Sequence, residues 1–105
     1  MNSCFDYMMS TFGGAHLLGF HIICDLVDNY DITNVHNSYI LYGQNHGMSG
    51  SNVERAVRHY IHVIGTTKNI EDALNCKCLN GKNFSNKEFL MSVKERVMRC
   101  KRDKK

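Results

Sequence analysis

Apolar residues recur at helical spacing along most of the chain. Ala15, Leu18, Ile22, Ile23, Leu26 and Tyr30 fall on one face of a helix, with His16, His21, Asp25 and Asp28 on the other. Gly13-Gly14 precedes this run, and Asn29 to Asp31 supply turn formers after it. The spacing predicts a helix over 15–30. Val53, Ala56, Val57, Tyr60, Ile61 and Ile64 make a second stripe, with Asn52, Arg55, Arg58, His59 and His62 opposite. Ser51-Asn52-Val53-Glu54 has the form of a capping box, in which the Ser51 hydroxyl and the Glu54 side chain each serve the other's amide. It predicts a helix over 51–64 ended by Gly65. Asn69 caps a further helix that turns Ile70, Ala73, Leu74 and Cys78 inward, and Asn80-Gly81 stops it. Ser85-Asn86-Lys87-Glu88 is a second capping box, followed by Phe89, Leu90, Val93, Val97 and Cys100 at helical spacing.

The rest is less determined. Ile32 and Val35 fit a short helix capped by Asp31. Residues 39–46 fit either a strand or a short helix, and 47–50 (Gly-Met-Ser-Gly) are a break. Met8-Met9 reads as a packing segment or as disorder, so residues 1–12 are left as a flexible candidate. The pattern as a whole predicts an all-α domain of five or six helices.

Length and composition agree. A chain of 105 residues holds one core. Its 43% apolar and 22% charged residues exclude a mainly disordered chain. No apolar run approaches the roughly 18 residues of a membrane span, and the N-terminus lacks the features of a secretory signal. Five cysteines, an odd number, point to reduced thiols in the cytoplasm.

Charge separates the two halves. Residues 1–50 carry four aspartates and no Lys or Arg, whereas 51–105 carry all 13 basic residues and six acidic ones. A basic second half fits an anionic partner. No metal is expected. Cys76-x-Cys78 lacks the usual two-residue gap and a second ligand pair, and spacing gives His59 and His62 no further ligand. With no phosphate loop, metalloprotease helix or nucleophile elbow, neither an enzyme nor a cofactor is expected.

The centre of the chain has the grammar of a helix-turn-helix: a short segment, a glycine-containing break, then an amphipathic helix with Arg55 and Arg58 in its first turns. In that motif the second helix enters the major groove of double-stranded DNA. Val53-Glu54-Arg55-Ala56-Val57-Arg58-His59 closely resembles the recognition helix of the sporulation master response regulator family, stage zero sporulation protein A. The match is to the family's C-terminal DNA-binding effector domain. Ala15-His16 with Gly19-Phe20, Asn69-Ile70 and Ser85-Asn86-x-Glu88-Phe89 are similar to flanking parts of that domain, in the same order. The resemblance covers about residues 13–100.

The resemblance implies that 39–46 are the first helix of the motif, that 47–49 are the turn, and that the recognition helix begins near Ser49. It implies binding to promoter boxes, in tandem in some cases, and contact with an RNA polymerase sigma factor. Glu54, Arg55 and Arg58 become candidates for base edges, and Ser51, Asn52 and His59 for phosphate or supporting contacts. Glu54 is equally placed to serve the capping box. The chain departs from the family in three respects. Its 105 residues do not include the family's phosphate-accepting receiver domain. The segments around 31–38 and 77–84 are shorter. Positive charge is missing before residue 51. A monomer that pairs on tandem boxes is therefore expected. The alternative is a protein-interaction module that binds or competes with another regulator or polymerase.

Overall fold

A computed structural model describes residues 4–74 and 84–103, with side chains to residue 99. Among these residues there are six α-helices, one 3-10 turn and no strand: α1 (Cys4–Thr11), α2 (Leu18–Asn29), the turn Ile32–Asn34, α3 (Val35–His46), α4 (Gly50–Gly65), α5 (Ile70–Leu74) and α6 (Asn86–Asp103). The fold is all-α, as the hydrophobic pattern requires. Cys76, Cys78, Asn80-Gly81 and the side chain of Cys100 lie outside the described residues.

α2 is the centre of the core. Phe20, Ile22, Ile23, Leu26 and Val27 are buried on a face wide enough to meet α1, α4 and α6. Its first turn departs from the expectation. Residues 15–17 are a turn, and the helix starts at Leu18 without a side-chain cap. His21 instead secures this turn, through a ring nitrogen 2.7 Å from the Ala15 carbonyl oxygen. Gly19 sits where α2 crosses α4. A Cβ there would lie 2.3 Å from the Ala56 carbonyl oxygen and 2.6 Å from the Tyr60 Cβ. Only glycine admits so close a crossing.

Residues 4–12 pack on the core. Cys4, Met8 and Phe12, spaced four apart, form a buried stripe. α1 ends where the amides of Phe12 and Gly13 both reach the Met8 carbonyl, with Gly13 in the left-handed conformation at φ 71°. Of the two readings of this segment, packing or disorder, the stripe favours packing for residues 4–12. It spans barely two turns, too short for periodicity to show.

Tyr60 joins these layers. Its ring is fully buried between Phe20 and Phe89, and its hydroxyl donates to the Gly13 carbonyl at 2.7 Å. Ile61 and Val57 are buried beside it, as their stripe predicted. α6 closes the core with Phe89, Leu90, Val93 and Val97. Its capping box forms in full: the Ser85 amide donates to Glu88 at 2.9 Å and the Glu88 amide to the Ser85 hydroxyl at 3.1 Å. Asn69 likewise caps α5, accepting from the Asp72 amide.

The buried tyrosines give the domain a defined alkaline limit. Burial raises the ionisation of Tyr60, Tyr39 and Tyr42 above the ordinary phenol value of 10.0. An acid whose pKa is raised by folding stabilises the fold while neutral, and that contribution is lost as pH climbs past the unfolded value. The tyrosine contribution should therefore be constant through neutral pH and fall from about pH 10 upward. Urea titrations at pH 8, 10 and 11 check this; equal midpoints at all three would contradict the burial of these rings.

Candidate nucleic-acid interface

α3 and α4 are joined by Gly47-Met48-Ser49, three residues that reverse the chain. Gly47 takes the left-handed conformation, φ 71°, and the amides of Gly47 and Met48 both point to the Gly43 carbonyl. Gly43 faces the turn itself. A Cβ on it would lie 2.2 Å from the Met48 carbonyl oxygen. Gly50 faces back onto α3, where its Cβ would meet Ile40 at 3.2 Å. These contacts set α4 tightly against α3.

Residues 39–46, which fit either a strand or a helix by pattern, are the greater part of α3. Tertiary contacts offset the weak propensity of Gly43 and the β-prone Tyr39, Ile40 and Tyr42. Asn34 accepts from the Asn37 amide at the start, and Tyr39 and Tyr42 pack into the core. At the other end His46 stacks on Tyr42 at 3.9 Å and approaches the Asp25 carboxylate at 3.8 Å, while Asn45 donates to the Tyr30 hydroxyl.

The capping box at Ser51 does not form. α4 starts two residues earlier, at Gly50, and its cap is Ser49, whose hydroxyl accepts from the Asn52 amide at 3.1 Å. Ser51 is thus inside the first turn and exposed. The good helix formers begin only at Glu54, so local propensity does not favour a start at Ser49; the turn geometry at Gly47 selects it. Ser49→Ala should cost about 1 kcal/mol, the usual value of a lost cap. Ser51→Ala should change stability by no more than about 0.5 kcal/mol. Chemical denaturation of the two variants checks the assignment; the reverse order would restore the box at Ser51.

Freed from the cap, Glu54 has other partners. Its Oε2 accepts from Arg58 Nη1 at 2.7 Å, one turn on. It also receives Asn86 Nδ2 from the first turn of α6, at 3.4 Å, and the same nitrogen donates to the Glu54 carbonyl oxygen at 3.2 Å. The buried Tyr39 hydroxyl lies at this junction. Burial raises its pKa and Asn86 lowers it in part, yet the hydroxyl completes no hydrogen bond among the described residues.

The candidate residues fall together. Ser51, Asn52, Arg55, Arg58 and His59 are exposed on the outer face of α4, with His62 one turn further along, and Glu54 is partly buried at the edge facing α6. The opposite face, Val53, Val57, Tyr60, Ile61 and Ile64, is buried. The outer face of α3 carries no Lys, Arg, Asp or Glu and exposes Ile40 and Leu41. The chain has no match among family models, curated proteins or solved structures. The site therefore rests on its own geometry. No three His, Cys, Asp or Glu side chains converge to hold a metal among the described residues, and none of the described helices is long and apolar enough to cross a membrane.

Two participants were not singled out from the sequence as site residues. Asn86 is separated from α4 by more than twenty residues, and only its place beside the capping serine hinted at a role. Tyr39 packs in the core, and its hydroxyl end reaches the Glu54–Asn86 junction.

Proposed function

We propose that the chain is a sequence-specific DNA-binding regulator of the sporulation-regulator effector type, with α3 and α4 as its helix-turn-helix and α4 in the major groove. The observation that carries this reading is the tight three-residue turn that puts Arg55 and Arg58 on the exposed face of α4, in its first turns. Base contacts in this motif are made from there. An arginine fork can bond guanine O6 and N7 together. The exposed Asn52 and Ser51 side chains and the Gly50 and Ser51 amides suit phosphate. The proposal extends to two molecules side by side on tandem boxes, where effective concentration strengthens the second binding event.

A second reading has its own support. The outer face of α3 brings no Lys or Arg to the duplex, although phosphate neutralisation supplies most non-specific affinity. Exposed Ile40 and Leu41 on that face suit a protein surface instead. One titration separates the readings. The protein is added to duplexes carrying the family's box and a scrambled control, at two salt concentrations. Arg55→Ala and Arg58→Ala should each weaken cognate binding by roughly 1–3 kcal/mol and scrambled binding by less. Equal losses on both duplexes would reduce the arginines to phosphate contacts. Binding to neither duplex by the unmodified protein would favour the protein-interaction module.

A further inference from the structure

The α4 face holds an arginine that is not free. Arg58 Nη1 is bound to Glu54, and Glu54 is in turn fixed by Asn86, whose single Nδ2 spans its carbonyl and its carboxylate. The contrast with α6 is instructive. Glu95 and Arg99 have the same spacing and bond at 3.1 Å, but both side chains stand about half exposed, as a solvated surface pair. The Glu54 side chain is only 33% exposed and sits over the first turn of α6, where the helix dipole favours a carboxylate. Arg58 itself is 61% exposed, and its bond at Nη1 leaves the remaining N–H groups of the fork open to a ligand.

We infer that Asn86 is a positioning residue for DNA recognition: through Glu54 it holds Arg58 in one orientation on the face of α4, so that α6 contributes to base specificity without reaching the DNA. This rests on the DNA-binding reading above. The physical reason is pre-organisation. A long side chain fixed before binding loses less rotamer freedom when it meets a base edge. A loosely held Arg58 still meets phosphate as a diffuse positive charge but discriminates less between bases. Asn86 suits the task because its amide donates to two oxygens of one residue; aspartate, of the same size, has no donor and would repel Glu54.

The test begins with selection from a random duplex library by the full chain, which defines the preferred sequence without assuming it. Fluorescence anisotropy then measures the selected and scrambled duplexes with wild type, Asn86→Ala, Asn86→Asp, Arg58→Ala and the double variant Asn86→Ala/Arg58→Ala. Asn86→Ala should lower the selected-to-scrambled affinity ratio about tenfold, with scrambled binding and its salt dependence little changed. Asn86→Asp should lower the ratio at least as far. In the Arg58→Ala background, Asn86→Ala should lower it no further, because a residue that acts only through Arg58 has nothing left to position. Equal losses in both backgrounds, or an unchanged ratio in a folded Asn86→Asp protein, would overturn the inference while the DNA reading stands. If selection enriches no sequence, the DNA reading fails and the inference falls with it. Melting curves of each variant separate these losses from unfolding. Should Asn86→Ala prove unstable, the comparison of Asn86→Asp with wild type carries the decision.

Discussion

Gly43→Ala should destabilise the domain by about 3 kcal/mol, the upper part of the ordinary overpacking range. Alanine in the middle of a helix is normally the better residue by up to about 1 kcal/mol, so propensity predicts the opposite sign. The added methyl would meet the Met48 carbonyl oxygen at 2.2 Å. That oxygen is backbone, locked in a turn whose amides return to Gly43 itself. It cannot swing aside as a side-chain tip could, so α3 and the turn must separate. Each kcal/mol lost corresponds to about 4–8 °C of melting temperature in a domain of this size. Gln44→Ala, one residue on and exposed, is the control and should change stability by no more than about 0.5 kcal/mol. Thermal unfolding of both variants decides. An unchanged Gly43→Ala would mean that the turn is not packed on α3. If the DNA reading holds, this variant should also lose selected-sequence binding beyond what its unfolded fraction explains, because the start of α4 is re-aimed.

Tyr60→Ala should cost about 3–5 kcal/mol, as for other large aromatic truncations in cores. Domains of this kind are stable by only about 5–15 kcal/mol, so the variant should be at the margin of folding at 37 °C. The ring touches elements distant in sequence. It meets Phe20 of α2 edge-on at 6.0 Å between centroids and Phe89 of α6 at 6.4 Å, and its hydroxyl anchors the loop after α1. Removing it takes the common support from three helices at once. Tyr60→Phe keeps the ring and should lose about 1 kcal/mol, the net worth of one hydrogen bond. It should also blunt the decline in stability above pH 10, since one raised phenol has been removed. Urea unfolding of the two variants distinguishes packing from the hydroxyl. A small loss in Tyr60→Ala would place the ring at the surface and shift the register of α4.

The candidate interface was legible in the sequence to an unequal degree. Arg55, Arg58 and His59 could be placed outside because Val53, Val57, Tyr60 and Ile61 fix the inner face of α4, and helical periodicity then dictates the outer one. Glu54 could not be assigned in this way. Its spacing from Ser51 satisfies a capping box, and its spacing from Arg58 satisfies an ion pair. Local rules support both. The choice was made by Gly47, which starts α4 from Ser49, and by Asn86, which arrives from another helix.

The sequence alone determined the all-α class, the stripes that became the inner faces of α2, α4 and α6 (Leu18, which is exposed, excepted), the caps at Asn69 and Ser85, and the break at 47–50, of which Gly50 joins α4. These are consequences of side chains within four residues of one another, where spacing is geometry. Tertiary structure decided the rest. It made 35–46 a helix by burying Tyr39 and Tyr42 and tying its end to α2 through Asp25 and Tyr30. It ordered α1 by covering Cys4, Met8 and Phe12. It gave Gly19 and Gly43 their meaning, because a missing Cβ has no signature until another backbone comes within its reach. The bond between Asn86 and Glu54 belongs to the same group: its two ends are neighbours only after α4 and α6 have packed on a common core.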